Sequence, residues 1–127
     1  MSNIHDSEII SYEVDLKNQK IIISTIQYPD SSITELVFSD VLAHLFETHL
    51  EGSIILDVDK YELSQFINDN RELLEKQKNS CWPIDYYNIE ELTEKLRREQ
   101  YVYFVVSSSY GLNGWILAKK YEVLKNV

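Results

Sequence analysis

Residues 9 to 38 repeat one pattern three times, and that pattern limits what the chain can build. In "IISYEVD", Ile10, Tyr12 and Val14 alternate with Ser11, Glu13 and Asp15, the period of a half-buried strand. "LKNQK" follows as a turn, with Asn18 suited to a left-handed position. "IIISTIQY" returns, and "PDSS" turns the chain again, with Pro29 pre-setting its own φ. "ITELVF" is the third run. Three alternating runs joined by tight turns predict an antiparallel meander.

The period then changes. In "SDVLAHLFETHLEG", Val41, Leu42, Leu45, Phe46 and Leu50 recur at helical spacing, with Ser39 or Asp40 as a cap and Gly52 as a terminator. A short helix is expected there. "SIILDV" reads as a buried strand. "DKYELSQFINDNRELLEKQK" reads as one long helix with Leu63, Phe66, Ile67, Leu73 and Leu74 on a face and Asp59 with Glu62 as a capping box. After the loop "NSCWPIDYY", "NIEELTEKLRRE" is a second helix, capped by Asn88, with Ile89, Leu92 and Leu96 as its stripe. "QYVYFVVSSS" and "WILAKKYEV" complete the strands. Asn113-Gly114 between them predicts a type I′ hairpin turn.

Together these runs predict one α+β domain over residues 1–127: a mostly antiparallel sheet of about six strands against two longer helices. With 127 residues, 44% of them hydrophobic, a core forms without staples. A single cysteine, Cys81, permits no intrachain disulfide, fits a reducing compartment, and is expected as a buried thiol. No basic start precedes an apolar run, and no apolar stretch approaches the roughly 20 residues of a membrane span. The expected location is cytoplasmic, without a membrane partner.

The net charge of −9 argues against nucleic acid, which calls for a basic face. Its distribution is uneven. From Asp40 to Glu75 the balance is −7, and from Lys95 to Val127 it is +4. Acids on an outer helical face often serve only solvation. The other reading is a contact surface for a basic partner, through Glu47, Glu51, Asp57, Asp59 and Glu62.

"SSSYGLNGW" invites a chemical reading and does not satisfy one. It lacks the G-x-x-x-x-G-K-[ST] of a phosphate loop and the G-x-S-x-G of a nucleophile elbow. If the tip binds anything, Tyr110, Leu112 and Trp115 are its expected exposed contacts. His5 stands beside Asp6, but neighbours on an extended segment point to opposite faces. His44 and Glu47 have helical ligand spacing, whereas His44 and His49 do not. No catalytic residue, metal or cofactor is expected. A metal-dependent module using His5, Asp6, His44 and Glu47, or a small-ligand domain with a Tyr-lined pocket, is the alternative.

Five stretches, "IHDSEIISYEVD", "VFSDVLAHLFE", "GSIILDV", "WPI" and "SSSYGLNGWILAKK", resemble a YxiG-like group of small Bacillus-type cytosolic proteins. The likeness runs from Ile4 to about Lys120. The opening His-Asp-Ser and the Phe-Ser-Asp-Val pattern are also similar to small immunity proteins of bacterial contact-dependent toxin systems. The resemblance implies no activity and assigns no catalytic residue. It implies the context of small, acidic, cytosolic α+β proteins near toxin loci, and the expected function is an immunity protein that blocks a cognate toxin domain by binding it.

Overall fold

The computed structural model describes residues 4–125. Strands β1 (Glu8–Asp15), β2 (Lys20–Gln27) and β3 (Ser32–Ser39) form the expected antiparallel meander. The Asp15 carboxylate accepts the Asn18 backbone N–H at 3.1 Å and its amide at 2.8 Å, closing the first turn. Those bonds favour the ionised form and lower the Asp15 pKa. It is Gln19, not Asn18, that takes positive φ.

One departure falls within β1. Its register against β2 shifts between Ile9 and Ser11, so Ile10 is an extra residue. Such a bulge bends the strand and resets which side chains face inward. Val14 packs on the core as expected, but Ile9 is buried in place of Ile10, which is 48% exposed.

The helix expected after β3 is a strand, β4 (Ala43–Glu47). Asp40 and Thr48 bracket it with positive φ, and Gly52 turns the loop beyond rather than ending a helix. Ala43 packs toward the helices, while Phe46 packs into the other side of the sheet. A strand buried on both faces shows no alternation, so its apolar spacing imitates a helix.

Strand β5 (Ile54–Tyr61) runs further than "SIILDV" suggests. Asp59 is therefore a strand residue, and no capping box with Glu62 forms. Glu62 is the N-cap residue of α1 (Leu63–Asp69) without a side-chain bond. The expected long helix is broken at Asn70 into α1 and α2 (Arg71–Gln77), followed by a single 3-10 turn (Lys78–Ser80). Helix α3 (Ile89–Arg98) matches expectation: Asn88 accepts the Glu91 N–H at 2.9 Å. Glu91 in turn accepts the Tyr87 N–H at 2.7 Å, which pulls its pKa down.

Strands β6 (Val102–Tyr110), β7 (Asn113–Ala118) and β8 (Lys120–Lys125) complete the sheet. The single expected run "WILAKKYEV" divides at Lys119, and with β4 this gives eight strands rather than about six. The strand order is β4-β7-β6-β5-β1-β2-β3-β8, all antiparallel. β7 and β8 are joined by one residue, yet β8 ends the order at the edge opposite β4. The sheet therefore curls until its ends meet. Lys119 N–H to Ser39 C=O extends the β3–β8 ladder, and Leu42 N–H to Leu117 C=O extends the β4–β7 ladder, through the corner between them.

Curling creates two apolar layers. Inside the curl lie Ile21, Ile23, Leu36, Phe38, Ile55, Phe104 and Ile116. On the outer face, Tyr103, Trp115 and Leu117 meet Phe66, Leu74, Leu92 and Leu96 of the helices. Residues 103 and 104, or 115 and 116, thus serve opposite layers, as strand alternation requires. Among the described residues no helix is long and apolar enough to cross a membrane.

Candidate partner-binding face

The β6–β7 connection is a turn, but not the one expected. Gly111 has positive φ, and Asn113 and Gly114 already belong to β7. Gly114 is needed for close approach instead. A Cβ there would collide with the Leu45 carbonyl oxygen and lie 2.9 Å from Phe46 Cα on the neighbouring strand. The serines are structural as well. Ser108 Oγ donates to the Leu112 carbonyl, and Ser109 Oγ approaches the Ile54 carbonyl at 3.5 Å.

Ser53 anchors the tip from across the sheet. Its hydroxyl donates to the Leu50 carbonyl at 2.6 Å and accepts the Leu112 N–H at 2.8 Å. The β4–β5 loop and the β6–β7 tip are thereby fixed side by side. Leu112 and Trp115 are buried, with Trp115 only 6% exposed among Phe66, Trp82 and Tyr103. They are core residues, which corrects their expected role as surface contacts. Tyr110, 53% exposed, remains available.

Register places Tyr110 precisely enough to define a face. Glu8 pairs with Ile54, and Ile54 pairs with Tyr110. Directly paired residues share a side of the sheet. Ile9 and Ile55 point into the core, so Glu8, Ile54 and Tyr110 form an outward row. Tyr110 lies about 10 Å from Glu8, two strand spacings away. On Glu8's other flank, the Tyr28 hydroxyl donates to its carboxylate at 3.2 Å, and that negative charge raises the Tyr28 pKa.

Beside this row a groove of about 540 Å³ runs between β1 and the β4–β5 loop, lined by Glu8, Ile10, Tyr12, His49, Leu50 and Glu51 among others. The Tyr12 ring meets Phe46 edge-on at 5.1 Å and stacks on His49 at 5.8 Å, bridging β1 to β4. Ile10 and Leu50 stand about half exposed beside it.

The acids singled out by charge do not form one patch. Glu51 lines the groove. Glu47 is exposed on β4, opposite Asn113. Asp57 is half-buried in β5, where it accepts the Val58 N–H at 2.8 Å and helps raise the pKa of Tyr121. Asp59 and Glu62 are exposed near the far end of β5. An eight-residue strand spans about 23 Å, so Glu51 and Glu62 occupy different ends of the molecule. Glu62 lines another hollow, of about 580 Å³, with Lys60, Arg97 and Tyr101, where both charge signs are present.

The alternative chemical residues are also dispersed. Residues 4–6 form a turn rather than a strand, so His5 and Asp6 do meet, at 3.4 Å. His5 also bonds the Leu56 carbonyl at 3.0 Å, which makes the pair an anchor onto β5. On strand β4, His44 and Glu47 face opposite sides, and the helical ligand spacing is lost. Burial lowers the His44 pKa. Cys81 is exposed, not buried, with its sulfur 3.9 Å from Asp85. Among the described residues no three His, Cys, Asp or Glu side chains are grouped to hold a metal ion.

Sequence signals for this face were weak. Ile10, Leu50 and Tyr28 are ordinary strand or loop residues in sequence, and only the fold brings the segment of Glu8 and Ile10 together with Tyr28 and with the loop of Leu50 and Glu51. No protein-family model and no curated protein matches the chain.

Proposed function

We propose that this is a non-enzymatic binding protein that neutralises a cognate toxin domain by covering it, in the manner of an immunity protein. The supporting observation is the face formed by Glu8, Ile10, Tyr12, Leu50, Glu51 and Tyr110, where half-exposed apolar side chains stand among acids. Apolar and aromatic anchors with a charged rim are the composition of protein interfaces. The acids would steer a basic partner and set its orientation. Nucleic acid and membrane surfaces, which attract basic faces, suit this composition poorly.

The test is co-expression. A toxin domain encoded beside this chain is expressed in sensitive cells with and without it. Survival restored by the protein, and lost when Tyr12 and Glu51 are replaced by Ala and Lys, is the expected result. Growth arrest that the wild-type protein does not relieve, for any neighbouring toxin domain, overturns the reading.

A further inference from the structure

On the side away from β2, β1 is only partly paired. Its contact with β5 ends at the Glu8–Ile54 pair and at the Ile9 N–H bond to the Ser53 carbonyl. β5 begins at Ile54 and runs antiparallel away from that point. The bulge at Ile10 bends the rest of β1 from the loop beyond. Residues 10–14 thus have β2 hydrogen-bonded on one side and, among the described residues, no hydrogen-bonded strand on the other, where β4 approaches only through side chains such as Phe46 against Tyr12. The groove of about 540 Å³ follows this length as far as Tyr12. We propose that β1 is completed by a partner: an extended segment bearing Lys or Arg beside apolar residues adds to its open edge as a further strand.

Three features select that occupant. An unpaired edge offers backbone donors and acceptors that an extended segment satisfies, while alternate side chains enter adjoining pockets. Tyr12 and Leu50 provide apolar contacts for one side of such a segment. The charge is single-signed, since Glu8 and Glu51 line the groove and neither Lys nor Arg does. A second copy presenting its own β1 would bring Glu8, Glu13 and Asp15 against those same acids. Like charges in facing strands oppose that pairing, and a basic segment of a different protein reverses the sign.

This inference rests on the reading of a protein partner, but its test needs no toxin. The probe is a capped peptide of alternating lysine and valine, followed by amide NMR of the isotopically labelled protein. Shifts are expected at residues 10–14 and 49–53, with slowed amide exchange in β1 and weaker binding at high salt. The same peptide with alternate backbone amides N-methylated keeps its side chains but cannot complete a ladder. It should bind at least about tenfold more weakly. A glutamate-for-lysine peptide should not bind, nor should the lysine peptide bind the Glu8→Lys, Glu51→Lys protein.

Equal binding of the N-methylated peptide, shifts confined to another surface, or no binding overturns strand addition. A concentration-dependent dimer that protects the β1 amides without peptide assigns the edge to a second copy and also overturns it. None of these results alters the cell-survival outcome, so the two readings fail separately.

Discussion

The Ser53 hydroxyl accepts the Leu112 N–H at 2.8 Å across 59 residues of sequence, and it donates onward to the Leu50 carbonyl. One buried oxygen thus holds both loops that shape the groove. Ser53→Ala leaves the Leu112 N–H unpaired in the interior and should cost about 1–3 kcal/mol in urea unfolding. Gly111→Ala should be worse than an ordinary turn substitution. It combines positive φ with a Cβ less than 3 Å from the Ser53 side chain. Unchanged unfolding midpoints for both variants would show that the two loops are not coupled.

Gly114→Ala should destabilise by about 2 kcal/mol or more, because the added carbon strikes the backbone of β4. Asn113→Ala loses only the amide bond to the Gly111 carbonyl at 3.1 Å and should cost about 1 kcal/mol or less. A true Asn-Gly turn would depend on both residues for positive φ. Calorimetric melts of the pair therefore discriminate strand contact from turn geometry.

Two tyrosines make the fold sensitive to alkali. Burial, then the nearby Asp57 charge, pushes Tyr121 up to about 12. Burial raises Tyr103 further, helped by its hydrogen bond to Asp69 at 2.9 Å. A tyrosine whose folded pKa lies above its unfolded value contributes stability that is complete below about pH 10. That contribution is lost as pH rises through the folded pKa. Urea unfolding followed from pH 9 upward should show a falling midpoint, flattened in Tyr121→Phe. A slope identical in wild type and variant would remove Tyr121 from this account.

His44 acts on the opposite flank. Its folded pKa is depressed by burial, so the neutral ring is favoured and stability is present above the unfolded pKa near 6.5. Stability should fall as pH drops through the folded value. His44→Gln should weaken that acid dependence, read from melting temperatures between pH 7 and about pH 5.

Charge reversal separates the two ends of β5. Glu8→Lys with Glu51→Lys should slow association with a basic partner several-fold and reduce its salt dependence. Asp59→Lys with Glu62→Lys, toward and beyond the far end of β5, should have a smaller effect. Stopped-flow association at low and high salt reads both. Equal slowing by the two pairs would mean that only net charge matters.

The meander and α3 were legible because Ile21 and Ile23, or Leu92 and Leu96, repeat at the period of their element, and β6 was legible from its unbroken β-branched and aromatic run, although Tyr103 and Phe104 serve different layers. β4 was not, because Ala43 and Phe46 serve different layers. β5 hid its end for another reason: Asp59, Lys60 and Tyr61 are all exposed, and polar residues before Leu63 imitate a helix start. The acids were legible as a segment but not as a surface, since a strand carries its two ends apart. The groove depends on the Ile10 bulge and the Ser53 hydroxyl, neither of which leaves a periodic trace.

The seam between β3 and β8 has a kinetic consequence. Ser39 pairs with Lys120 and Thr34 with Lys125, partners roughly eighty to ninety residues distant along the chain. Local hairpins such as β1–β2 form in microseconds, whereas closing so large a loop costs entropy before any contact repays it. The meander would therefore stand assembled with one flank of β3 bare until β8 arrives. During that interval "ITELVF" is an uncapped apolar strand, and it is the segment through which a slowly closing variant would aggregate.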